Sequence, residues 1–239
     1  MNSAAKGTLY LIPTPLAEPP QLAAILPQEV MAIVRKLDYF IAENAKTARS
    51  FLRAVEIGRP IQEISIQQID KHGGNADIQA WLAPLLSGHD MGLVSEAGAP
   101  AVADPGAAIV AAAHKLGLRV APLVGPSSLL LALMASGLDG QRFAFHGYLP
   151  QDKAERSRVI AELERESRQK RQTQICIETP YRNDALLADL LKSLAPRTHL
   201  CIAVNLTAAD ELIRSQLVSQ LRSAPTEIGK RPALFLFQA

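Results

Sequence analysis

The sequence predicts an α/β fold in two domains, and three observations carry that prediction. Short β-like runs alternate with segments of helical periodicity along the whole chain. An apolar content of 48% over 239 residues is enough to bury a sizeable core. The apolar run 91–94 passes into a loop dense in small residues, 95–106, and then into an Ala-rich helical pattern, the strand, loop and helix order in which α/β proteins build ligand sites.

Taken in order, strands are expected at 8–12, 39–42, 91–95 and 119–123, then at 143–146, 174–178, 200–204 and 233–237, each a short apolar run. Helices are expected between them at 28–36, 45–55, 75–86, 107–115, 127–135, 153–170 and 182–193. Such alternation implies mostly parallel strands, because parallel neighbours need a crossover and a helix supplies it. A break at 122–128 divides the chain into domains of 1–123 and 124–239, and a cleft between two α/β domains is a natural ligand site. Within the loop, Gly98 and Gly106 permit positive φ, while Pro100 and Pro105 fix φ and remove amide donors. Asp104 suits an N-cap with Pro105 at the first helical position.

A net charge of +2 names no partner, being compatible with RNA yet far from the excess of a dedicated nucleic-acid binder. Cys176 and Cys201 lie in apolar runs without metal or redox spacing and read as core thiols in a reducing compartment. The N-terminus carries no leader pattern, and no window approaches the ~20 apolar residues of a membrane span, so a cytoplasmic protein is expected. Phosphate-loop, Rossmann-fingerprint and zincin motifs are absent, and His72, His89, His114, His146 and His199 assemble no local ligand set, so no metal site is expected. Ser127 and Ser128 follow Gly125-Pro126 without a nucleophile elbow; they read as a helix start whose hydroxyls line the cleft. Residues 152–171 carry seven basic and five acidic side chains. Mixed signs at helical spacing read as a solvated helix face, with an RNA-facing surface on Arg156, Arg158, Arg165, Arg168, Lys170 and Arg171 as the alternative.

Six short motifs then carry a resemblance. Gly7-Thr8-Leu9-Tyr10-Leu11-Ile12-Pro13-Thr14-Pro15 opens the series, followed by the 95–106 loop and Gly125-Pro126-Ser127-Ser128. Phe145-His146-Gly147-Tyr148-Leu149-Pro150, Glu178-Thr179-Pro180-Tyr181-Arg182 and Asn205-Leu206-Thr207 complete it. In this order and spacing the chain resembles the tetrapyrrole-methylase superfamily, in its branch of small-subunit ribosomal RNA ribose 2′-O-methyltransferases. The resemblance implies two α/β domains, S-adenosylmethionine in the cleft between them, a homodimer, and RNA as acceptor, with neither DNA nor membrane as partner. It places the methionine and ribose end of the cofactor on Ser95, Glu96, Ala97, Gly98, Ala101, Val102, Ala103, Ser127 and Ser128, with Pro13 also in the cofactor site. Tyr148, Leu149, Tyr181, Asn205, Leu206, Pro232 and Ala233 would complete the cofactor site, with Tyr148, Leu149, Leu206, Pro232 and Ala233 around the adenine. Methyl transfer to a ribose hydroxyl needs a base, and Glu43, Glu96 and His146 are the candidates.

The chain departs from the branch at several matched positions. Pro15-Leu16-Ala17-Glu18-Pro19 stands where the branch reads Pro-Ile-Gly-Asn-Leu, and Ala42-Glu43-Asn44-Ala45-Lys46 where it reads Ala-Glu-Asp-Thr-Arg. Glu96 replaces an Asp, and Ala203-Val204-Asn205-Leu206-Thr207 replaces Ala-Arg-Glu-Leu-Thr. The cofactor half of the pattern is therefore better kept than the acceptor half, which leaves a small-molecule acceptor or a non-catalytic S-adenosylmethionine-binding paralogue as alternatives.

Overall fold

Two five-stranded sheets, each in its own unit, organise the chain. The computed structural model describes residues 5–17, 22–69, 78–224 and 226–239. The first unit, Met1–Ser127, contains β1 (Thr8–Ile12), α1 (Gln28–Val34), β2 (Tyr39–Ala42), α2 (Ala45–Ala54) and β3 (Ser65–Gln68). It continues through α3 (Ile78–Trp81), α4 (Ala83–Leu86), β4 (Met91–Val94), α5 (Gly106–Lys115) and β5 (Arg119–Pro122). Its strands are all parallel in the order β3-β2-β4-β1-β5. Both sheet faces are covered, as a parallel sheet requires. On one face Ile12, Phe40 and Val94 pack with Met31 and Val34 of α1 and Phe51 and Leu52 of α2. On the other, Leu9, Ile41 and Leu93 pack with Leu82, Leu85 and Ile109. Gly92 lets β4 meet its neighbours closely, because a Cβ there would lie 2.5 Å from Ile12 Cδ1 and 2.7 Å from Phe40 Cδ1.

That topology determines where a ligand can sit. β1 and β4 are neighbours, yet the helix after β1 lies on one face and the helix after β4 on the other. The connections diverge there and leave a crevice beyond the carboxyl ends of the two strands, which is the topological switch point of an open α/β sheet.

The second unit, Ser128–Ala239, holds α6 (Ser128–Ser136), β6 (Phe143–Tyr148), α7 (Lys153–Lys170), β7 (Thr173–Glu178) and α8 (Asn183–Ser193). β8 (His199–Val204), β9 (Leu212–Leu217), α9 (Val218–Ser223) and β10 (Ala233–Gln238) complete it. Its order is β6-β7-β10-β8-β9, and the sheet is mixed: β6 and β7 are parallel, whereas β10 runs against both β7 and β8, and β9 against β8. The expectation of mostly parallel strands therefore holds in the first sheet and not in the second. Ile160 and Leu163 of α7 and Leu186, Leu187 and Leu190 of α8 pack on Cys176, Ile202, Phe235 and Phe237, each such side chain contributing roughly 1.5–3 kcal/mol on burial.

Several predicted elements need correction. The helix expected at 75–86 is two short pieces, α3 and α4, because Pro84 has no amide to continue the ladder; its first residues, 75–77, lie outside the described residues. His72 and Glu18-Pro19 also lie outside them. The edge strand β3 is not expected from the sequence, since three of its four residues are exposed and it has no apolar alternation. Arg156 is not an RNA-facing cation. It is 8% exposed, donating through Nε at 2.8 Å and a terminal guanidinium nitrogen at 2.5 Å to Asp189 Oδ2. Its other terminal nitrogen donates to the carbonyls of Pro150 and Gln151. Arg158 pairs with Glu162 and Lys170 with Glu166 one turn away, so much of the charge on α7 is satisfied within the helix.

Candidate functional site

The carboxyl edge of the first sheet gathers Pro13 and Thr14 after β1, Glu43 and Asn44 after β2, and the 95–106 loop after β4. Gly125 follows β5 at the same edge, where a Cβ would lie 2.5 Å from the Cβ of Pro13. Thr14 and Gly98 form an antiparallel bridge, each amide donating to the other's carbonyl at 3.0 Å. Ser95, 8% exposed, donates its hydroxyl to the Gly98 carbonyl at 3.0 Å, so it braces the turn from within.

Downstream the loop adopts left-handed backbone at Gly98, Ala101 and Ala103, with φ of 76°, 64° and 60°. Two alanines in that region cost of order 1–3 kcal/mol each, strain of the kind that concentrates at ligand-binding loops. Asp104 holds the shape: its carboxylate accepts from Ala101 N at 2.9 and 3.0 Å and from Gly106 N at 2.7 Å. The helix begins at Gly106, with Pro105 rather than Asp104 in the N-cap position, and Asp104 satisfies its leading amide from just outside. Glu96, Ala97, Val102 and Ala103 are left on the surface of the loop, with Val102 47% exposed.

Of the three candidate bases, the structure brings Glu43 and Glu96 to one edge. Asn44, the N-cap of α2, donates its Nδ2 to Glu96 Oε1 at 3.1 Å and accepts from Lys46 N at 2.9 Å. His146 lies in β6, its Nε2 2.6 Å from Gln174 Oε1 in the neighbouring strand. In the second unit the cofactor candidates share a sheet edge, because Tyr148 closes β6, Glu178 closes β7, Val204 closes β8 and Ala233 opens the antiparallel β10. The side chains of Leu149, Leu206 and Ala233 are buried, whereas Tyr148 and Tyr181 are 57% and 82% exposed. Asn205, at φ 50°, donates its amide to the Pro232 carbonyl at 2.8 Å and joins the two loops. Ser127 precedes α6 and Ser128 opens it, each partly exposed.

Sequence reasoning does not find Thr14 as the partner of Gly98 or Asn44 as the partner of Glu96, since both contacts join loops far apart in the chain. Cys176 and Cys201 are free and buried, as the sequence implies. Burial pushes the Cys176 thiol up to about 12 and that of Cys201 up to about 11, which leaves both as core groups without nucleophilic character. Among the described residues no group of three or more His, Cys, Asp or Glu side chains converges, and no helix is long and apolar enough to cross a membrane.

Comparison with known proteins agrees with this architecture. Ribosomal RNA small subunit methyltransferase I of Synechocystis sp. is 33% identical over 205 residues, covering 86% of this chain and 69% of that protein. The protein of the same name from Neisseria meningitidis serogroup B is 29% identical over 230 residues, covering 96% of this chain and 74% of its own. Uroporphyrin-III-C-methyltransferase from Thermus thermophilus superposes with a TM-score of 0.56 at 17% identity, over 97% of this chain and 92% of that one, and shares the fold. The sequence pattern of the tetrapyrrole (corrin/porphyrin) methylases matches residues 8–222, nearly the whole of both units. With the strained loop at the switch point of the first sheet and this pattern running through both, the chain belongs to the tetrapyrrole methylase family, in the branch that holds the ribosomal RNA small subunit methyltransferases I.

Proposed function

We propose that this chain is an S-adenosylmethionine-dependent methyltransferase that modifies a ribose 2′-hydroxyl of small-subunit ribosomal RNA, working as a homodimer in the cytoplasm. The observation that carries the reading is the likeness to ribosomal RNA methyltransferases over 86% and 96% of the chain. Their shared name favours RNA over a small-molecule acceptor, and an enzyme over a binding-only paralogue.

The donor set fits the cofactor. A zwitterionic methionyl end and a ribose diol need backbone polar groups and hydroxyls approached through small side chains, as offered by Pro13, Ser95, Ala97, Gly98, Ala101, Val102 and Ala103 with Ser127 and Ser128. The adenine needs apolar surface and backbone hydrogen bonds, for which Tyr148, Leu149, Leu206, Pro232 and Ala233 are suited, with Tyr181 and Asn205 at the same sheet edge. When bound, S-adenosylmethionine supplies an electrophilic methyl group on a sulfonium. The protein's part is to orient the ribose and to receive its hydroxyl proton. We assign the proton to the Glu96 carboxylate, which Asn44 orients, with Glu43 as the second carboxylate at that edge. Exposed apolar side chains support the dimer: Leu130 and Met134 on α6 are 53% and 78% exposed, and Phe143 on β6 is 41% exposed. Free core thiols suit a reducing compartment.

Glu96→Gln tests the assignment. It is expected to lower kcat by about 10²-fold or more, the ordinary worth of a positioned base, while the cofactor Kd from calorimetry stays unchanged. Wild-type turnover in that variant, with loss in Glu43→Gln, would move the role to Glu43.

A further inference from the structure

We infer that α2 and the groove beside it are the track along which single-stranded RNA reaches the site, an inference that rests on the RNA reading above. The solvent face of α2 carries Lys46, Arg49 and Arg53, all exposed, and the helix contains no acidic residue. None of the three side chains has an ion-pair partner among the described residues. At about 100° per residue they occupy one arc of roughly 60°. The adjoining arc of the same helix, Ser50, Ala54 and Thr47, lines a cavity of about 900 Å³. That volume lies in the range of roughly 300–1,000 Å³ found for ligand clefts.

The cavity has the composition a nucleotide requires. Leu16 and Leu22, with the exposed edges of Met31 and Phe51, supply apolar surface for a base, Thr47 and Ser50 supply hydroxyls, and the adjacent cations supply phosphate contacts. Its lining continues to Thr14, Ser95 and Glu96, so a chain lying along α2 with its phosphates on Arg53, Arg49 and Lys46 delivers a ribose toward the proposed base. The contrast with α7 is informative. That helix has more cations, but Arg156 is buried against Asp189, and Arg158 and Lys170 are paired within the helix. A weak net charge of +2 thus conceals a helix face with three exposed cations and no acidic residue of its own, beside a groove whose acidic lining residues are Glu56 and Glu96.

The test is the salt dependence of binding to a short fluorescein-labelled oligouridylate and to intact small ribosomal subunits. For single strands each lost phosphate contact flattens the slope of log K against log salt by about 0.7, so Arg49→Gln/Arg53→Gln should flatten it by about 1.4 and weaken binding at least about tenfold at low salt. Cofactor affinity and Tm should stay at wild-type values, and Arg158→Gln/Arg165→Gln on α7 should bind as wild type does. Ala54→Trp, which fills the groove, should raise KM for the subunit and leave cofactor binding intact. A wild-type slope in the α2 variant, or the loss appearing in the α7 variant, overturns this surface; if the wild-type protein still methylates ribosomal RNA, the RNA reading survives. A wild-type protein that neither binds nor methylates RNA overturns both.

Discussion

The loop after β4 is tied to α2 at Glu96, and Asn44 is the residue that makes the tie. Its Oδ1 caps α2 and its Nδ2 holds Glu96. Two substitutions separate these tasks. Asp caps a helix about as well as Asn but presents an oxygen where Glu96 met an N–H, so Asn44→Asp is expected to hold stability within about 0.5 kcal/mol while slowing methyl transfer. Asn44→Ala removes both and should cost about 1 kcal/mol in urea unfolding as well. Unimpaired transfer in Asn44→Asp would deny the contact any role in orienting the carboxylate. Glu43 and Glu96 could be named from sequence because both lie at positions matched to the branch that the chain resembles, and methyl transfer to a ribose hydroxyl needs a base. Asn44 could not, since its partner is 52 positions away and only the pairing of β2 with β4 brings the two loops together.

At the scale of elements, stability in the second unit turns on the buried Arg156–Asp189 pair, which joins α7 to α8. Arg156→Met leaves Asp189, 5% exposed, charged and unpaired, and is expected to cost about 3–5 kcal/mol in chemical denaturation. Arg156→Met/Asp189→Leu should recover most of the loss, because the desolvated charge goes with its partner; a double variant no better than the single one would contradict this. The exposed Glu166–Lys170 pair is a different case. The hydrogen bond from Lys170 holds the Glu166 carboxyl below the usual carboxylate range. Its small stabilisation is therefore present above the ordinary carboxylate pKa and fades as pH falls through the lowered one, and solvent screening limits it to about 0.3–0.5 kcal/mol. Strong periodicity between clear ends made α7 legible to the residue, and β1 and β2 were equally legible as short apolar runs. Strand direction in the second sheet was not, because an apolar run in a strand looks the same whichever way its neighbour points. β9 was hidden by its mixed sequence, Leu212 to Leu217 alternating only weakly, and it exists because β8 offers it an edge.

For the whole molecule, the homodimer proposed above would cover the exposed apolar residues of α6, Leu130 and Met134. Met134→Asp, at a position 78% exposed in the single chain, is expected to shift sedimentation from dimer to monomer with little change in fold; a wild-type chain that sediments as a monomer would contradict the homodimer directly. Methyl transfer to RNA is read directly from labelled product. Purified protein is incubated with methyl-labelled S-adenosylmethionine and small ribosomal subunits from cells lacking it, and the RNA is digested to nucleosides. Label in a 2′-O-methyl nucleoside, lost with Glu96→Gln, is the predicted result. Cofactor binding in the same sample with no label in RNA would rule out ribosomal RNA as the acceptor.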